Sequence, residues 1–194
     1  LGSQSSLLVD NFTICSSPTG DPSFEQDWYE DTYTPFAGWS RYLGDAATQT
    51  RTTDSRSGNY ACNITPYTTY DNYAGVIRPT FVNVSPNDFL DAWWRLDQMS
   101  GVDDSSAIIK LEIDGGYSLN YILGAGGNYG PTNSSNNQFF SVEGFNTTGI
   151  WTHLHRNITA DVEGGLSLSG DIQIKNVVLL ARSDYVGSAD SVTT

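Results

Sequence analysis

Basic residues are scarce in this chain. Nine Lys and Arg stand against 22 Asp and Glu, giving a formal net charge of −13 and a pI near 4.2. Phosphate contacts need a basic surface, so nucleic-acid binding is excluded, and docking on anionic lipid with it. No apolar run approaches the ~20 residues of a membrane-spanning helix, so no membrane insertion is expected. Cysteine is nearly absent: Cys15 and Cys62 are the only two, and neither lies in a CxxC or Cys/His spacing that would hold zinc. Histidine is equally rare, with only His153 and His155. Gly-X-Ser-X-Gly, Walker-type and dinucleotide fingerprints are all missing. These absences together predict a protein that is not an enzyme.

What is present points to a secreted domain. Hydrophobic residues make up 38% and aromatics 12% of the 194 residues, enough for one core, so residues 1–194 read as a single domain. The chain opens on Leu1 rather than Met, which fits earlier removal of a signal segment. Asn-X-Ser/Thr sequons occur at Asn11, Asn63, Asn83, Asn133, Asn146 and Asn157, the pattern of a glycosylated, extracellular chain. Outside the cell, an even pair of cysteines reads as a Cys15–Cys62 disulfide. Its loop of about 47 residues would stabilise the fold by roughly 4 kcal/mol.

Short apolar segments recur every 8–15 residues with turn signals between them, the spacing of an all-β sandwich rather than alternating β and α. Strands are expected at 6–14, 39–43, 49–53, 60–65, 75–84, 107–113, 117–123, 138–142, 150–156, 171–182 and 189–194. Asp114-Gly115-Gly116 reads as a tight hairpin turn. Residues 89–99 (FLDAWWRLDQM) suit either strand or helix, and the β-rich flanks select strand. Asn157 is placed to cap one helical turn over 157–162.

Several of these segments resemble the galactose-binding-like jelly rolls of carbohydrate-binding modules. They are LLVDNF ending near Asp10, the tryptophan strand GWSRYL, the Ser57–Ala61 segment, WTHLHRNITADV over 151–162, and a final acidic Asp190. The resemblance implies a two-sheet antiparallel jelly-roll sandwich. It also implies a structural calcium ion where the first and last strands meet, held by Asp10 and Asp190. Oxygen ligands suit that ion, and two carboxylates on adjacent strands repel unless a cation lies between them. A second likeness is to the small, acidic, secreted jelly-roll subunits of archaeal extracellular tubules and filaments (the cannula type). It implies a homopolymer, assembled with calcium and by exchange of a terminal strand, for which residues 2–14 are the better donor.

Among chemistry-bearing groups, His153-Leu154-His155 places two imidazoles on one strand face beside Trp151. With no third soft ligand nearby in sequence, they read as solvent-facing rather than as a metal or catalytic pair. Asp103-Asp104 reads as a turn, and Lys110, Glu112 and Asp114 as the wet side of a strand, not as a glycosidase pair. Trp28, Tyr29 and Tyr33 in one loop, and Tyr67, Tyr70 and Tyr73 in another, are candidate ligand or subunit contacts. The expected function is a calcium-stabilised, glycosylated structural subunit of an extracellular filament, tubule or surface layer, with other copies of the chain as partners. A stand-alone carbohydrate-binding module with a polysaccharide partner is the alternative, and a polysaccharide lyase or hydrolase the third.

Overall fold

The computed structural model describes residues 6–14, 17–18, 38–43, 47–66, 72–99, 105–127 and 129–183. Twelve strands appear among them: β1 (Ser6–Ile14), β2 (Ser17–Pro18), β3 (Ser40–Leu43), β4 (Ala47–Thr52), β5 (Ala61–Pro66), β6 (Asn72–Val84), β7 (Phe89–Gln98), β8 (Ser106–Ile113), β9 (Tyr117–Ala125), β10 (Asn137–Ser141), β11 (Thr152–Asn157) and β12 (Ile172–Ser183). One short helix, α1 (Ile158–Asp161), follows β11. The strands form two packed sheets, so the expected all-β sandwich is what the chain builds. The first sheet has the order β11-β7-β1-β5-β4, with β2 on the end of β1; the second has the order β10-β9-β8-β12-β6-β3.

Period-two alternation builds the core. In β7, Leu90, Ala92, Trp94 and Leu96 are buried, while Phe89, Asp91, Trp93 and Arg95 face outward and are half-buried. That alternation is a strand signature, since helical periodicity would scatter these residues over all faces. β8 follows the same rule, with Ile109, Leu111 and Ile113 inward and Lys110 and Glu112 outward. Trp39 and Trp94 are fully buried, and Trp39 meets Phe12 edge to face at 6.4 Å. The Asp114–Gly116 turn joins β8 to β9 as expected; Gly115 and Gly116 take φ of 79° and 81°, which a β-carbon resists. Asn157 caps α1, its side chain accepting from the Ala160 amide at 2.9 Å.

One expectation needs correction. The sandwich is not wholly antiparallel, because β10 runs parallel to β9. The chain leaves β9 at Ala125 and returns only at Asn137, a connection long enough for a parallel return. Of the expected donor strand, residues 2–14, the described part begins at Ser6. β1 pairs with β7 on one side and, over Leu7–Val9, with β5 on the other, so Ser6–Ile14 lies inside the first sheet. The proposed terminal strand over 189–194 lies outside the described residues.

β4 and β5 lie over β6 and β12. It follows from the strand orders that β4 shares one side of the sandwich with β6 and β3, and β11 shares the opposite side with β9 and β10. The β11 side is pinned by a buried cluster. Arg156 Nη2 donates to Asp161 Oδ1 at 2.6 Å, and the Tyr121 hydroxyl donates to Asp161 Oδ2 at 3.0 Å.

Candidate functional site

The outer face of the first sheet carries most of the unusual polar chemistry. Asp10 is fully buried there, beneath the 53–59 loop. Its Oδ2 accepts from the Ser57 amide at 2.7 Å, the Arg56 amide at 2.9 Å and the Ser57 hydroxyl at 3.2 Å. Burial pushes the carboxyl above its ordinary value, against the backbone hydrogen bonds that pull it down. A second clamp holds the same loop: Arg95 Nη1 donates to Asp54 at 2.9 Å, and the Arg56 guanidinium lies 4.5 Å above the Trp93 ring. The arginine hydrogen bond holds Asp54 below the usual carboxylate range.

Oδ2 of Asp10 is saturated by donors, which is the wrong chemistry for a cation site. Oδ1 is buried with no hydrogen-bond partner and is the one oxygen left for an ion. Asp190 lies outside the described residues. Among the described residues no three His, Cys, Asp or Glu side chains gather to hold a metal. Within the described residues Asp10 is the anchor of the 53–59 loop.

His153 and His155 are exposed, as expected, but they are not idle. The register sets His155 opposite Asp91 and His153 opposite Trp93. His153 Nε2–H donates to Asp91 Oδ1 and His155 Nδ1–H to Asp91 Oδ2, both at 2.9 Å. A carboxylate only accepts, so these bonds fix the two tautomers and leave His153 Nδ1 and His155 Nε2 outward. His153 stacks on Trp93 at 4.7 Å and His155 on Phe89 at 4.5 Å. Burial pushes Asp91 up, but the two imidazole hydrogen bonds outweigh it and hold the carboxyl below its ordinary value. The result is a ladder, Arg56–Trp93–His153–His155–Phe89, whose ring faces are spent on one another.

The remaining predicted residues fall as follows. Cys62 is a buried thiol raised well above its ordinary value by burial, and Cys15 lies outside the described residues. Cys62 pairs with Val9, and β1 runs on from there as far as Ile14. Trp28, Tyr29, Tyr33, Tyr67, Tyr70, Asp103 and Asp104 also lie outside. Tyr73 sits in β6 with the Arg182 guanidinium 5.1 Å from its ring centre. Glu112 accepts from Lys110 at 2.8 Å and from Asn176 at 2.9 Å, and Lys175 pairs with Asp114 at 2.6 Å.

The sequons differ in kind. Asn11 is half-buried, with φ of 49°. Asn63 accepts from Ser6 and Thr65, Asn83 from Gln173, Asn133 from the Phe139 amide and Asn157 from Ala160. None of those bonds uses the nitrogen that would carry a glycan. Asn146 uses both ends of its amide on Ala125: Oδ1 accepts at 2.8 Å and Nδ2 donates at 3.0 Å.

The sheet edges complete the picture. Among the described residues β4 pairs only with β5, and β11 only with β7. Their sequences, ATQTRT and THLHRN, contain no carboxylate and no proline in a chain with 22 acidic residues. By contrast, β10 has its outer side dressed by the 133–136 turn, where Asn133 caps the Phe139 amide. The fold thus defines a two-sheet β-sandwich. No protein-family model matches the chain, and no curated protein matches it. No helix among the described residues is long and apolar enough to cross a membrane.

Proposed function

We propose that the chain is a non-enzymatic structural subunit of an extracellular polymer, growing by addition of the first sheet edge to edge, β4 of one copy beside β11 of the next. One observation carries this reading: both outer strands of that sheet are unpaired on their outer side among the described residues and free of carboxylates. Proteins usually blunt such edges with charge, proline or a bulge. The two edges differ and lie on opposite sides, so their contact is heterologous, the kind that builds a filament wherever the rotation between copies does not close a ring. Calcium and glycans belong to the same proposal as accessories. Sedimentation and negative-stain microscopy test it: the protein should polymerise as concentration rises, and Thr50→Glu should stay monomeric with an unchanged melting temperature. A protein that remains monomeric at all concentrations, or a T50E variant that polymerises normally, would refute it.

A stand-alone carbohydrate-binding module is the second reading. It is favoured by a polar cavity of about 400 Å³ between β8, β12 and the Asp114–Gly116 turn. The Lys110–Glu112 and Lys175–Asp114 pairs leave its wall without net charge, which suits a neutral polyol. Retardation in gels containing neutral polysaccharide, lost in Asn176→Ala, is its test.

A further inference from the structure

Phe81 breaks two rules at once. It is 64% exposed, the most exposed large hydrophobic side chain among the described residues. It also takes φ of 48°, a left-handed conformation that a bulky residue rarely adopts. The cause is a bulge. Val82 pairs with Ile174 and Pro79 with Asn176, so Thr80 and Phe81 stand against Lys175 alone. β3 pairs with β6 only over Gly75–Ile77, so among the described residues β6 is itself the outer strand of the second sheet at Phe81. The fold accepts backbone strain there while leaving an aromatic ring in water. Neither is explained by packing among the described residues.

The opposite side of the sandwich holds a matching hole. A cavity of about 430 Å³ opens where β9 and β10 meet the 129–133 and 141–145 segments, walled by Ile122, Tyr129, Pro131, Phe139 and Phe145. None of its lining residues is charged. Residues 79–86 (PTFVNVSP), which carry the knob, are uncharged too. On a molecule of net charge −13, two uncharged segments on opposing sides are where a second copy meets least repulsion. Knob and hole also lie on the same two sides as β4 and β11.

We infer that Phe81 of one copy seats in the Phe139–Phe145 cavity of the next. The inference rests on the polymer reading above and supplies its aromatic anchor. A knob on one side and its hole on the other give a head-to-tail contact, which adds copy after copy unless the rotation between copies closes a ring.

The test uses two variants of the full chain. Phe81→Gly removes the ring and suits the left-handed φ, so it should fold with an unchanged or higher melting temperature. Its association should fall at least about tenfold. Thr132→Lys puts a charge at the mouth of the cavity and should likewise remain monomeric. Each variant retains the half that the other lacks, so an equimolar mixture should form a one-to-one heterodimer in sedimentation velocity. An F81G protein that polymerises like the parent overturns the inference and leaves edge addition standing. A parent chain that never polymerises overturns both. An N-glycan on Asn83 or Asn133 of the assembled protein would block knob or hole and would equally overturn it.

Discussion

At the scale of single residues, two aspartates on one sheet face behave in opposite ways. Asp10 is raised by burial, so it favours the folded state at low pH, and that contribution is lost as pH rises through its elevated value. Asp91 is lowered by its imidazole partners, so its contribution is present above the ordinary carboxylate range and lost as pH falls through its depressed value. Thermal melts from neutral to strongly acid pH should show this: Asp91→Asn flattens the acid limb of the stability curve. An acid limb identical to that of the parent would show that the His153–Asp91–His155 contacts carry no stability. Asp10→Ala leaves the Arg56 and Ser57 amides without their acceptor and should cost about 1–3 kcal/mol. If calcium takes the orphaned Oδ1, chelator lowers the melting temperature of the parent and not of this variant. Equal response of the two to chelator would place any calcium elsewhere.

At the scale of elements, the end of β9 shows how closely the sandwich is fitted. A β-carbon on Gly124 would come within 2.5 Å of Leu96 Cδ1, 2.7 Å of Met99 Cε and 3.0 Å of Asn146 Oδ1. Two of those are flexible side-chain tips, but all three crowd one position. Gly124→Ala should therefore destabilise by about 1–3 kcal/mol, measured by denaturant unfolding; a neutral substitution would mean that the β7 side chains re-pack freely. The same spot decides one sequon. Asn146 spends both ends of its amide on the Ala125 backbone, and a glycan on Nδ2 would displace that bond. Glycopeptide mass spectrometry of secreted protein should find Asn146 bare, and a glycan there would contradict the fold at this position.

The elements divide by what kind of information sets them. Ser6–Ile14, the Asp114–Gly116 turn and the Asn157 cap follow from neighbours a few residues apart, and all were legible in the sequence. Residues 89–98 were ambiguous locally and settled only by their sheet. The parallel β9–β10 pair, the Asp91 partner of His153 and His155 some sixty residues away, and the Asn146 clasp all depend on register across strands, which no local pattern encodes. Phe81 was hidden for a related reason. In sequence it continues an alternating strand, and only its pairing reveals the bulge.

At the scale of the whole molecule, charge governs whether copies can meet. Each carries −13, so association works against a long-range repulsion that the carboxylate-free edges reduce locally but do not remove. That repulsion is screened by salt, with a Debye length of about 30 Å at 0.01 M and about 3 Å at 1 M. The proposed contacts are backbone pairing and apolar seating, neither of which salt weakens. Polymerisation should therefore strengthen steadily with sodium chloride, read as a falling critical concentration in light scattering. Contacts built from ion pairs across the interface, with Arg51 or Arg156 reaching a neighbour's carboxylates, would give the reverse slope. A critical concentration that rises with salt would thus exclude the carboxylate-free edge and the Phe81 seat together, even in a protein that forms filaments.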